Sequence, residues 1–253
     1  MENPLVRWLR IVKRGTVFFG TLAYFAAAYA LNPGNRRDLA ARAFWLHRIT
    51  CSIMKILGAK SVQKGLPPKG TLIVANHISY LDIIVISASM PVVFVAKSEV
   101  RGWPIFGWFA QLAGTRFIDR KHRGDVVRIA DGILPALEAG VSVVLFLEGT
   151  SSDGGKVLPF KASLLEPAAR GGLAVTPAAI GYKAPPGHRA ATEICWWGDM
   201  TLAPHLVNLF SLEHIDASLA WGETFSATED RKALALELHA QVSALHASLG
   251  SVS

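Results

Sequence analysis

Apolar and polar positions alternate along this chain in two different periods. Short continuous apolar runs lie at 71–75, 92–96, 115–119, 141–147, 173–180, 192–198 and 217–222 and predict buried strands. Between them, apolar residues recur at spacings of three and four over 81–89, 103–113, 126–139, 202–210 and 229–248, which predicts helices. Asp125 is placed to cap the helix at 126–139, Gly140 to end it, and Pro135 to kink it. The last helix repeats Leu234, Leu238, Val242 and Leu245 and reads as packed on the domain, with His239 and His246 in surface or packing roles. Pro177 cannot donate to a ladder, so the run 173–180 reads as a strand at a sheet edge. Strands that alternate with helices argue for an α/β fold. Lys183 to Arg189 is a loop, and no internal repeat or long linker interrupts the chain.

The first 60 residues are organised differently. A helix over about 5–31, a turn at Asn32-Pro33-Gly34-Asn35 and a helix over about 38–58 make a two-helix hairpin. Thr16 to Leu31 carries no charge, yet this run is shorter than the ~18 apolar residues of a spanning helix. Ala28-Tyr29-Ala30 also resembles a signal-peptide cleavage site. Residues 1–60 hold ten Lys and Arg against two acidic residues, whereas the rest holds sixteen against seventeen, so the formal +7 is an N-terminal property. Basic residues interleaved with Trp, Phe and Tyr suit an anionic membrane surface rather than nucleic acid. The alternative is a soluble helical pair packed on the domain. With 253 residues, the chain divides into this hairpin (1–60) and one larger α/β domain (61–253). Cys51 and Cys195 are unaccompanied and read as packed free thiols.

Candidate chemistry sits at the ends of three predicted strands. Asn76-His77-Ile78-Ser79-Tyr80-Leu81-Asp82 follows the run 71–75 and sets a histidine five residues before a carboxylate. A carboxylate beside an imidazole fixes its tautomer and leaves the other ring nitrogen to take a proton. Taken alone, the pair reads equally as a strand-end turn with a capping Asp. Arg116, Arg120, Lys121, His122 and Arg123 then cluster within eight residues and suit an anionic headgroup. Finally, Glu148-Gly149-Thr150 closes the run 141–147, where the glycine allows close backbone approach and the Thr hydroxyl can donate.

In this order these segments resemble the glycerolipid acyltransferase superfamily, typified by bacterial 1-acylglycerol-3-phosphate acyltransferases. Asn76, His77 and Asp82 match its Asn-His, four residues, Asp block, the HX4D motif, and Phe117 to Arg120 its Phe-Ile-Asp-Arg core. Lys97-Ser98-Glu99-Val100, with Pro104 and Gly107, resembles the Lys-x-Glu-Leu stretch between them. Leu147-Glu148-Gly149-Thr150-Ser151 resembles the Pro-Glu-Gly-Thr-Arg block, and Val175 with Pro177 the Val-x-Pro strand. The likeness covers roughly residues 60–225. The third block departs from the family at Leu147 and Ser151, and the missing Arg is the residue generally assigned to the acceptor's phosphate. The run through Ser152, Asp153 and Gly154 to Val157-Leu158-Pro159-Phe160-Lys161 is similar to a branch that includes lyso-ornithine lipid O-acyltransferases.

The resemblance implies a central mixed sheet flanked by helices, with the hairpin sunk in one leaflet and the enzyme on the cytoplasmic face of the membrane. It implies an acyl chain passed from acyl-CoA or acyl carrier protein to a lysolipid hydroxyl. Lysophosphatidic acid is the first expected acceptor and lyso-ornithine lipid the alternative. His77 would be the base and Asp82 its support. Asn76, Lys97, Arg116, Arg120, Glu148, Gly149 and Thr150 would hold substrate, with no metal or bound cofactor. The aromatic cluster Trp103, Phe106, Trp108 and Phe109 reads as core, with an acyl groove or a bilayer contact as alternatives. Two other classes are a thioesterase, although the Gly-x-Ser-x-Gly elbow is absent, and a non-catalytic membrane-binding protein.

Overall fold

The computed structural model describes residues 3–32, 37–118 and 125–250. Eight strands form one mixed sheet: β1 (Ala59–Lys64), β2 (Leu72–Ala75), β3 (Val92–Lys97), β4 (Arg116–Ile118), β5 (Ser142–Phe146), β6 (Ala174–Lys183), β7 (Ile215–Trp221) and β8 (Phe225–Ser226). Their spatial order is β1-β7-β6-β2-β5-β3-β4, with β8 beside β6. The block β6-β2-β5-β3-β4 is parallel, and β7 and β8 run antiparallel to β6. Both faces are covered, so the central strands are buried on alternate sides. Ile73, Ala75, Phe94, Val144 and Phe146 face one core, and Leu72, Val74, Val93, Val143 and Leu145 face the other.

Helices α1 (Pro4–Leu31), α2 (Leu39–Leu57), α3 (Leu81–Ser89) and α8 (Leu202–Ser211) cover the first face. Helices α5 (Asp125–Glu138), α6 (Glu166–Gly171) and α9 (Arg231–Ser248) cover the second. Two short helices, α4 (Phe106–Leu112) and α7 (Ala190–Glu193), and two 3-10 turns at Ser98–Gly102 and Ala162–Leu165 complete the elements described. Side chains cap the starts of α1, α2 and α9. Asn3 accepts from Leu5 N, Asp38 from Ala40 N, and Asp230 from Lys232 N and Ala233 N.

The N-terminal helices share the core of the sheet. Phe18, Leu22, Phe25 and Tyr29 of α1 and Trp45, Ile49 and Ile53 of α2 are buried in it. Part of the basic N-terminus is consumed there. Arg10 donates to Ser211 O (2.6 Å), and Arg14 to Phe210 O (3.3 Å), Leu212 O and Glu213 O (3.0 Å). Arg42 likewise donates to Leu112 O (2.8 Å) and Gln111 O. Each guanidinium satisfies carbonyls left over at a helix C-terminus and meets the negative end of its dipole. No described helix is long and apolar enough to cross a membrane.

Four expectations are revised by the structure. The apolar run at 192–198 is α7 followed by a buried loop rather than a strand. Ile194 and Cys195 are fully buried, and Trp196 N donates to Ile78 O (2.9 Å) instead of to a ladder. The strand carrying Pro177 is central, flanked by β2 and β7. The proline fits because the antiparallel side is interrupted at this point. The β8 pairs end at Val175, the β7 pairs start at Ala178, and between them Gly222 N donates to Pro177 O (2.8 Å). A Cβ on Gly222 would lie 2.7 Å from Pro177 Cγ, so glycine is required there. Strand β1, right after α2, and helix α6 fall where the sequence predicts no element. The aromatic cluster is not solid core: Trp103, Phe106 and Phe109 line a cavity, and Trp108 is exposed.

Candidate active site

Strand β2 ends at Ala75, and Asn76 makes the ending. Its side chain takes the next rung in place of backbone, accepting from Ile180 N (2.8 Å) and donating to Ile180 O (3.0 Å). Buried and doubly bonded to β6, Asn76 is a clamp on the sheet, not a group that faces an acceptor lipid. The chain then turns into α3, where Asp82 occupies the first turn. This places His77 at the C-terminal edge of the parallel strands, where α/β proteins bind ligands.

His77 Nδ1 lies 2.8 Å from Asp82 Oδ2, and the same oxygen accepts from Ile78 N (2.7 Å) and Ser79 N (3.0 Å). The other oxygen, Oδ1, accepts from Tyr182 OH (2.8 Å). The carboxylate has no solvent exposure, and the His77 side chain keeps 22% of its surface. Three certain donors surround an acceptor-only anion, so Nδ1 is the fourth and carries the proton. Nε2 is therefore the basic nitrogen. The imidazole stacks on Phe146 (4.2 Å between centroids), which stacks on Phe94 (6.2 Å).

Glu148 closes β5 beside this pair. It is 3% exposed, its Oε1 accepts from His77 N (2.7 Å) and its Oε2 from Leu158 N (2.9 Å). Burial pushes its pKa up to about 7; the two N–H bonds oppose the shift, and nearby Asp82 adds to it. Glu148 thus positions the His77 backbone rather than offering itself to an acceptor. Gly149 follows in the left-handed region (φ 76°), and Ser152 N then returns to His77 O (3.0 Å), wrapping the loop around the histidine. Thr150 is exposed and Ser151 half-buried on that loop. Lys97 ends β3 exposed, opposite Ile118. Arg116 starts β4 half-buried, its stem against Gly132 of α5 and its Nε buried without a partner. Arg120 and its neighbours Lys121, His122 and Arg123 lie outside the described residues.

A cavity of about 160 Å³ lies on this face of the sheet; His77 and Asp82 do not line it, and Phe94, which stacks on Phe146, connects its wall to the site. It runs among α1, α2, α3 and α4, and Phe18, Ile49, Ile53, Ile84, Trp103 and Phe109 line it. Tyr80 lies on its wall, with its hydroxyl bonded to His205 Nδ1 (2.9 Å); His205 Nε2 in turn donates to Cys195 O (3.1 Å). Trp196 packs edge-on against Tyr80 and Trp103, and its indole N–H is buried with no partner. Sequence reasoning did not find Tyr182, Phe146 or Trp196. Each stands far along the chain from His77 and comes near it only through the fold.

A family model described as Acyltransferase matches residues 56–181. A lyso-ornithine lipid O-acyltransferase of Brucella abortus is 37% identical over 251 residues, covering 90% of this chain and 93% of that one. The chain belongs to this acyltransferase family. The enzyme is also 36% identical over 169 residues to a 1-acyl-sn-glycerol-3-phosphate acyltransferase of Neisseria gonorrhoeae, covering 66% of each chain. A 1-acyl-sn-glycerophosphate acyltransferase of Thermotoga maritima shares the fold with a TM-score of 0.72 across 97% of this acyltransferase and 96% of its own chain, at 20% identity. The α/β architecture with a central mixed sheet is therefore the architecture of a solved acyltransferase.

Proposed function

We propose that this acyltransferase moves a fatty acyl chain from a thioester to the hydroxyl of lyso-ornithine lipid, at the cytoplasmic face of a membrane. The observation that carries the chemistry is the His77–Asp82 pair, with no bond to Nε2 among the described residues, near a cavity walled almost entirely by apolar side chains. His77 Nε2 takes the proton from the acceptor hydroxyl, and the oxygen attacks the thioester carbonyl. The imidazolium formed is held by Asp82. As the tetrahedral intermediate collapses, the C–S bond breaks and the thiolate takes that proton and leaves as a thiol. No Ser or Cys nucleophile is used. The cavity takes the donor's acyl chain.

Two observations favour the aminolipid acceptor over lysophosphatidic acid. Ser151 stands where the wider family has a phosphate-binding Arg, and the Brucella relative matches over nearly its whole length. An ornithine headgroup presents one carboxylate and an ammonium rather than a phosphate dianion, so it calls for less positive charge than lysophosphatidic acid does. The donor is acyl-CoA or acyl carrier protein, which are cytoplasmic. The first helix supports membrane docking. Beside its buried face it exposes Leu5, Trp8, Leu9, Val12 and Phe19, and Arg7 and Lys13 are exposed on the same helix.

The test is thiol release from palmitoyl-CoA by the purified protein in detergent, with each lysolipid supplied separately. Release that depends on lyso-ornithine lipid is expected. Release that depends on lysophosphatidic acid instead would overturn the acceptor, and release without any acceptor would make the enzyme a thioesterase.

A further inference from the structure

Tyr182 reaches the candidate catalytic carboxylate from β6, 100 residues away in sequence. Tyr182 is 3% exposed, and among the described residues its hydroxyl bonds Asp82 Oδ1. Burial, then the charge of Asp82, pushes the phenol well above its ordinary range, so it remains a donor at any working pH. The load on Asp82 is lopsided without it. Oδ2 collects His77 Nδ1, Ile78 N and Ser79 N, and Oδ1 would be a buried anionic oxygen with nothing to meet.

We propose that Tyr182 is a positioning residue for the acyl transfer: its hydroxyl pins Oδ1, and so fixes which carboxylate oxygen faces His77 and how strongly that oxygen holds the imidazolium. The inference rests on the His77–Asp82 reading of the site. A hydrogen bond at Oδ1 draws charge away from Oδ2. Remove it, and the carboxylate binds the protonated imidazole more tightly, so the base is lost to protonation at a higher pH. The other titratable groups around the pair are Glu148 at the end of β5, Tyr80 on the loop before α3, and Cys195 and Asp153 on the loops after α7 and β5. All four remain in a Tyr182→Phe protein, so they do not account for a difference from wild type.

The experiment is the pH dependence of kcat/KM for Tyr182→Phe, wild type, Asp82→Asn and the double variant, each checked first by thermal unfolding. For Tyr182→Phe the acid limb is expected to move up by about half a pH unit or more. Its kcat is expected to fall several-fold, with KM for the acyl donor unchanged. In the Asp82→Asn background the same substitution is expected to have no further effect, because Tyr182 acts through that carboxylate. An unmoved acid limb, or an undiminished effect in the Asp82→Asn background, would overturn the inference alone. Wild-type turnover by Asp82→Asn would overturn the reading of the site as well. Should Tyr182→Phe fail to fold, fluorotyrosine placed at position 182, a stronger donor, must move the acid limb down; no movement, or movement up, would overturn the inference.

Discussion

Glu148 shows how much a single buried carboxyl decides at the residue scale. It holds His77 N and Leu158 N at once, and burial raises it from 4.5 to about 7. Below 4.5 the carboxyl is neutral in both the folded and the unfolded chain. Between 4.5 and about 7 the unfolded chain releases the proton while the folded chain keeps it. The contribution of Glu148 to stability is therefore fully present below 4.5, falls as pH rises through that window, and is flat above it. Glu148→Gln removes this titration and leaves one backbone N–H facing an amide nitrogen, at a cost of about 1–3 kcal/mol. Thermal unfolding of both proteins from about pH 4 to about pH 8 is expected to show the wild-type advantage shrinking with pH across that window. A gap that is constant or grows would refute the assignment.

At the scale of elements, the apolar cavity lies where α1, α2 and α4 meet the sheet. Thr50 lines it, and its hydroxyl bonds Leu46 O and His47 O of its own helix (3.0 Å each), so no other element depends on that group. Thr50→Leu fills the cavity and is expected to lower kcat/KM for palmitoyl-CoA relative to decanoyl-CoA, by roughly fourfold per methylene excluded. Equal losses for both donors would place the acyl chain elsewhere. The elements that build this region were legible wherever one physical signal dominated. The helix expected at 81–89 is Leu81–Ser89, and the apolar runs at 71–75, 92–96 and 141–147 are strands. Elements held by their partners were not legible. β1 is a polar edge strand that shows itself only by pairing with β7, and 192–198 braces the loop that carries His77. The site followed the same division. His77 and Asp82 are neighbours in sequence and could be read, whereas Tyr182 becomes their neighbour only when β6 lies beside β2. Asn76 and Glu148 were read as substrate ligands because a motif records which residues are present, not which way they face.

For the molecule as a whole, charge and apolarity divide between packing and surface. Arg10, Arg14 and Arg42 are spent on helix ends, while Arg7, Lys13, Arg37 and Arg48 remain exposed. Replacing Trp8 and Phe19 together with Ser is expected to release the protein from anionic vesicles in a sedimentation assay, with its thermal unfolding unchanged. Retention as tight as wild type would assign docking to another surface. The central claim is that this fold assembles one general base for acyl transfer to a lysolipid. It is tested most directly by acylated-lipid formation from palmitoyl-CoA by His77→Ala beside wild type, both confirmed folded. The account predicts no product above the enzyme-free blank from His77→Ala, and near wild-type product would contradict it.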